Sequence, residues 1–239
     1  MLKIRYPATV VAGLLAIMVA ATASANANKS ITIGDNTETG SESTVNGSIS
    51  VGSGATVNGS LSTVNGTIRI DDDTRVEDVE TVNGSIRIGD GTVVEDLESV
   101  NGSIRLGERV TVDGEIDVVN GKITLGNGSK VADDVSNVNG EFQISGTEIG
   151  GNLSTVNGDV WLMEGSVLQG DLIIEKPGGW GSENRKRKPK IVIGSGTRVV
   201  GTIVLEREVE LFISDTAEVG DVSGEMGIDD AVRFSGDRP

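Results

Sequence analysis

Cysteine and histidine, on which much enzyme chemistry depends, are both missing from this 239-residue chain. Their absence excludes disulfide frameworks, thiolate and imidazole metal sites, and every catalytic dyad or triad built on an imidazole base. Large side chains are scarce as well: 3 Phe, 1 Tyr, 2 Trp and 4 Pro stand beside 34 Gly. A core in such a chain has to be assembled from small β-branched and aliphatic residues. Positive charge is also in short supply, with 20 Lys and Arg against 36 Asp and Glu and a formal net of −16. Nucleic acid and anionic lipid are therefore approached against the protein's own field, and nucleic acid is not an expected partner.

The first residues are different in kind. Lys3 and Arg5 precede an apolar run from Ala8 to Ala21, and Ala23-Ser24-Ala25 and Ala25-Asn26-Ala27 each fit a small-residue cleavage site. A run of about 14 residues falls short of the roughly 20 that cross a bilayer. Residues 1–27 therefore read as a secretory signal peptide, cleaved after Ala25 or Ala27, with the mature chain exported to the periplasm or outside the cell. No later run is apolar enough to span a membrane. Removing Lys3 and Arg5 leaves 18 basic against 36 acidic side chains, and five of those 18 lie together at Arg185, Lys186, Arg187, Lys188 and Lys190.

What the chain does have is a repeat. Val-Asn-Gly recurs with its Asn at Asn46, Asn65, Asn83, Asn101, Asn120, Asn139 and Asn157, at intervals of 18 or 19 residues, with one extra copy at Asn58. After most of these comes an alternating apolar pair, such as Ile68 and Ile70, Ile86 and Ile88, or Ile104 and Leu106, which is the period-two signature of a strand with one buried face. A six-residue rhythm runs through the same region, Val64, Ile70, Val76, Val82, Ile88, Val94, Val100, Leu106, with a further apolar column at Val79, Leu97, Ile116, Val135 and Leu153. Three such sides make one turn. A repeat of 18 residues has no room for a strand, a crossover helix and two loops, so βα units fail on length. Asn-Gly between apolar runs is also a hairpin signal, but an array of hairpins requires no six-residue rhythm. The expected fold is all-β: a single-stranded parallel β-solenoid of three-sided coils, each 18–19 residues long.

Within that fold the Asn residues stack as a structural turn ladder, each able to bond local backbone or the Asn one turn away, and the Gly beside each is expected at positive φ. From Lys176 to Lys190 the pattern stops, in a stretch holding Pro177, Trp180 and the five cations, and it resumes with Ile191 and Ile193. The mature chain, 28–239, is then one solenoid domain interrupted by an irregular basic loop at 176–190. Its regular part gives roughly nine coils and a rod of about 45 Å, with Lys29 to Gly40 and Glu225 to Pro239 as partial coils or caps. Bulky residues at the corners favour the right-handed form.

The repeated Val-Asn-Gly-Ser-Ile-Arg-Ile/Leu-Gly, present at Val82 to Gly89 and Val100 to Gly107, resembles the coils of bacterial exported adhesin-like domains of unknown function, and more distantly the bactofilins. The resemblance covers about Ser43 to Ile174 well and the last quarter loosely. It implies an exported β-solenoid and carries no catalytic residues. The signal peptide departs from a bactofilin's cytoplasmic role, and the basic loop lies outside the repeat.

Chemistry is correspondingly thin. Paired carboxylates at Asp71 to Asp73, Glu95 with Asp96, and Asp133 with Asp134 are the available acid–base groups, but neighbours on a strand face opposite sides and corner acids are solvated. No catalytic residue, metal ligand set or cofactor is expected. Arg69, Arg87 and Arg105 occupy one outward position in successive coils, a solvent-facing row balanced by acids or a strip for an acidic polymer. Trp180, Arg185, Lys186, Arg187, Lys188 and Lys190 form the candidate contact with an anionic surface: envelope polymer, anionic lipid or protein. Two functions follow as expectations. The first is an exported, non-enzymatic scaffold or adhesin-like rod at the cell envelope, open to end-to-end association. The second is a β-helix that binds or acts on polysaccharide through surface carboxylates.

Overall fold

A computed structural model describes residues 28–177, 187–236 and 238–239. The expected signal peptide lies outside the described residues, as do Trp180, Arg185 and Lys186.

Among the described residues the strands form three parallel sheets of eleven, ten and ten strands, and each strand except the first and last of its sheet pairs with its equivalents one coil before and one coil after. One coil shows how the sequence produces this. Ile86–Ile88 lies on the first face, Val93–Val94 on the second and Leu97–Asn101 on the third. The first pairs in register with Ile68–Ile70 below and Ile104–Leu106 above, so that Ile stacks on Ile and Arg on Arg. Alternation points Ile86, Ile88, Val94 and Leu97 inward, where all are buried, and leaves Arg87 outside. The interior is one continuous apolar column from Ile33 to Ile213. The fold is the expected β-solenoid, with about ten full turns. The count exceeds nine because the segments at both ends are themselves coils: Ile31–Ile33 pairs with Ile49–Val51, and Val232–Phe234 pairs with Glu210–Ser214.

Three details differ from the sequence reading. First, Val64, Val82, Val100 and Val119 of the Val-Asn-Gly motifs do not enter the main core; they form a separate apolar stripe on the outside of the third face. Each five-residue strand there begins with an inward residue such as Leu97. Period two then turns Ser99 inward and Val100 outward.

Second, the interior carries two polar columns. Thr44, Thr63, Thr81, Ser99, Asn137 and Thr155 are buried at the end of the third face, and Thr74, Thr92, Ser129, Thr147, Ser166 and Thr197 at the start of the second. Their hydroxyls satisfy corner carbonyls, as Thr63 Oγ1 does to Gly47 O at 2.9 Å and Thr147 Oγ1 to Gly126 O at 3.1 Å. A three-sided coil bends its backbone at every corner, and a buried carbonyl there needs a donor that the strand ladder does not supply. Among the described residues Asn137 alone in these columns leaves a buried atom, Oδ1, unpartnered.

Third, most of the motif glycines are not in the left-handed region: Gly47, Gly66, Gly84, Gly102, Gly121 and Gly158 are absent from the positive-φ residues, whereas Gly140 and the extra copy's Gly59 have the expected positive φ, at +158° and +140°. Their reason is close approach. A Cβ on Gly102 would lie 1.5 Å from Gly84 O, and one on Gly84 would lie 1.7 Å from Gly66 O. At this corner successive coils pack backbone on backbone.

Candidate functional site

The corner between the third and first faces carries the asparagine ladder. Asn46 Nδ2 donates to Asn28 Oδ1 at 2.8 Å, Asn65 to Asn46 at 2.8 Å, Asn83 to Asn65 at 3.0 Å and Asn101 to Asn83 at 3.1 Å. The chain continues through Asn120, Asn139 and Asn157 at 2.9–3.0 Å. The bonds run from amide to amide of the next coil, the second of the two partners the sequence leaves open. Asn58, the extra copy, lies off the ladder and donates to Glu38 Oε1 at 2.7 Å.

The ladder stops where the irregular segment begins. Leu172–Ile174 ends the third face of its coil, and Lys190–Ile193 begins the next first face. The insertion thus stands at the corner that Asn-Gly occupies elsewhere. Arg207, one coil further on, reaches across it: Nη1 donates to Asn157 Oδ1 at 3.2 Å and to Val156 O at 3.1 Å, while Nη2 donates to Arg187 O at 3.0 Å.

The described cations of the basic segment are tied to the rod. Arg187 pairs with Asp159, and Lys188 Nζ lies 2.7 Å from Glu208 Oε2. Lys190 begins a strand rather than ending a loop, and its ammonium sits 5.0 Å from the Trp161 ring centroid and 4.7 Å from that of Phe212. The C-terminal residues close over the same face: Ser195 Oγ donates to Gly236 O at 2.9 Å, and the Arg238 guanidinium lies 5.8 Å from the Trp161 ring. Between them is a shallow cavity of about 140 Å³ lined by Glu141, Gln143, Trp161, Met163 and Arg238, among others.

Of the corner carboxylates suggested by the sequence, Asp72, Asp96 and Asp134 have backbone partners, as does Asp90 one coil after Asp72. Asp72 Oδ1 accepts from Asp90 N at 2.8 Å and Asp90 Oδ1 from Glu108 N at 2.9 Å. At the next corner Asp96 Oδ1 accepts from Glu115 N at 2.8 Å and Asp134 Oδ1 from Asn152 N at 2.6 Å. Each binds one coil to the next, as a carboxylate or short amide can when the corner exposes an unpaired N–H. Among the described residues no group of three or more acidic side chains could hold a metal ion.

Two rows remain on the outer surface. On the first face Arg69, Arg87 and Arg105 stack in register. Arg69 Nε lies 2.9 Å from Asp71 Oδ1, whereas Arg87 and Arg105 have no ion pair among the described residues. Asp90 and Glu108, acids close to this row in sequence, face Arg109 instead. On the third face Glu80, Glu98 and Asp117 stack in register. Among the described residues none of the three forms an ion pair. Partial burial and the neighbouring Glu80, Asp117, Glu115 and Asp96 push the Glu98 carboxyl up to about 7. Burial likewise raises Glu80 and Asp117, the latter opposed by its hydrogen bond from Ser136. This acidic row escapes a motif search because it lies outside Val-Asn-Gly, although its members recur at the coil interval.

Comparison with family models, with curated proteins and with solved structures returned no match for this chain. The three-sheet solenoid agrees with a bactofilin-like architecture. No helix among the described residues is long and apolar enough to cross a membrane.

Proposed function

We propose that the chain is a non-enzymatic scaffold at the cell envelope, an adhesin-like rod exported by its N-terminal segment. One observation carries this reading: polar side chains recur at equivalent positions of successive coils and bond mainly to the coil above or below, as in the Asn28-to-Asn157 ladder. Such a molecule is a rigid support that repeats its surface at the strand spacing, about 4.8 Å. The basic segment supplies local attachment to an anionic surface, with Arg185 and Lys186 beside the tethered Arg187 and Lys188. A second reading, glycan binding, is favoured by the cavity beside Trp161, where an indole face adjoins Gln143, Glu141 and Arg238.

Co-sedimentation with envelope fragments separates the two. Changing Arg185, Lys186, Arg187 and Lys188 to Ser, while keeping Lys190 on its aromatic rings, should abolish salt-sensitive attachment and leave melting nearly unchanged. Loss of binding on Trp161→Ala, with the four-cation variant still binding, would replace the scaffold reading by the glycan one. Binding by neither parent nor variants would refute envelope attachment.

A further inference from the structure

The two charged rows are opposite in sign and alike in length and spacing. On the first face the outward column reads Ser50, Arg69, Arg87, Arg105, Thr124. On the third it reads Ser62, Glu80, Glu98, Asp117, Ser136. Each row holds three charges in three successive coils and is bounded at both ends by a hydroxyl residue. The arginines are exposed and the acids half-buried. Along their own strands Arg87 is flanked by Ser85 and Gly89 and Arg105 by Ser103 and Gly107, and across the sheet they adjoin one another, Arg69 and Thr124. Beside the acids runs the outer valine stripe of Val64, Val82, Val100 and Val119.

From this we infer that the first face of one rod docks on the third face of a second copy, Arg69, Arg87 and Arg105 meeting Glu80, Glu98 and Asp117 in a side-by-side contact. Both rows inherit their spacing from the strand repeat of about 4.8 Å. Once one pair is in register, the others are too, whether the rods run parallel or antiparallel. Complementary rows of this kind select partner and register. The two faces differ, so the contact is heterologous: a copy that offers its first face retains a free third face, and the association extends rather than closing at a dimer.

Other charges lie near the contact, and Glu77, Glu95 and Asp133 add to the acidic corner of the third face. Asp71 already engages Arg69, and Glu108 and Asp90 engage Arg109 at the following corner. Asp78, Asp96, Glu115 and Asp134 line the corner beside the acidic row and add to its negative potential. A net charge of −16 opposes any approach of two copies at long range. At about 0.1 M salt that repulsion is screened beyond roughly 10 Å, while contacts across the interface persist. The inference goes beyond the scaffold reading, since a rod that stays monomeric still serves as a scaffold.

Two charge-reversed chains test it: Arg69→Glu, Arg87→Glu, Arg105→Glu in one, and Glu80→Arg, Glu98→Arg, Asp117→Arg in the other. In sedimentation at about 0.1 M salt the parent should associate with rising concentration. Each variant alone should dissociate at least about tenfold more readily, because both of its faces then carry one sign. An equimolar mixture should recover association. A monomeric parent, or association unchanged in either variant as end-to-end contact would give, overturns the proposal. Should a triple variant fold poorly by circular dichroism, the single variants Arg87→Cys and Glu98→Cys answer the same question, since the chain has no other thiol. Oxidation of their equimolar mixture should give the mixed disulfide well above the twofold excess over either homodimer that random pairing yields. A ratio at or below two, or no cross-link, refutes the contact.

Discussion

The motif glycine allows a sharp test of why Gly recurs beside each asparagine. Gly102→Ala adds one methyl group where φ is ordinary, so backbone strain contributes nothing. The new Cβ would sit 1.5 Å from Gly84 O and 2.4 Å from Gly84 C. Both are backbone atoms held in the stack, and neither can rotate away. Restoring even the shortest tolerable separation requires the coils to part by about 1.5 Å at a corner spaced about 4.8 Å. Overpacking typically costs about 1–3 kcal/mol when side chains can adjust. Here the shift falls on the backbone and on the adjoining Asn101 link, so a loss of about 3 kcal/mol or more is expected. For a chain of this length that lowers the melting temperature by roughly 6–12 °C.

Two controls separate the causes. Gly165→Ala meets nothing closer than 3.9 Å but has φ near +73°, and should lose about 1 kcal/mol to strain alone. Gly40→Ala meets nothing within 4 Å at an unremarkable φ, and should be neutral or gain up to about 1 kcal/mol by restricting the unfolded chain. Thermal melts by circular dichroism rank the three. If Gly102→Ala is no worse than Gly165→Ala, close approach is not what the motif glycine provides.

Two further outcomes follow from the interior and from the acidic row. Asn137→Thr removes the unpartnered buried Oδ1 and restores the residue found at Thr44, Thr63, Thr81 and Thr155 of the same column; a stability gain of about 1 kcal/mol is expected in urea unfolding, and a loss would show that the amide has a partner or a packing role. Glu98 has a folded-state value near 7 against an ordinary 4.5, so between those values the folded chain holds more protons than the unfolded one and stability falls as pH rises. Glu98→Gln should therefore melt above the parent at pH 8 and lose most of that advantage by pH 5; an advantage independent of pH would refute the assignment.

What the sequence makes legible is whatever repeats in residue type. The interval between Asn83, Asn101 and Asn120 predicts coils, and the Ile–Arg–Ile triplets predict which side of a strand is buried. The inner hydroxyl columns are hidden because Thr81 and Ser99 read as surface residues; the clue is that Val118 and Val110 hold equivalent places in neighbouring coils and are fully buried. Val82 misleads in the opposite way, an apolar residue in phase with the rhythm yet outside the core. Of the surface groups, the arginine row is visible in the repeated triplet. The roles of Asp72, Asp96 and Asp134 are not, since a carboxylate that binds a backbone N–H one coil away has no local sequence signature.

The asparagine ladder is also an electrical object. Every amide in it points the same way, with Nδ2 toward Asn28 and Oδ1 toward Asn157. Each carries a dipole comparable to a peptide unit, about 3.5 D, and head-to-tail alignment adds them along the rod without any formal charge. The oxygen end is therefore the negative pole of the row. There the guanidinium of Arg207 is seated, donating to Asn157 Oδ1 at 3.2 Å, as a cation stabilises the carbonyl end of a helix. The rod thus has a direction written along one edge, and its two ends present unlike poles to whatever approaches them.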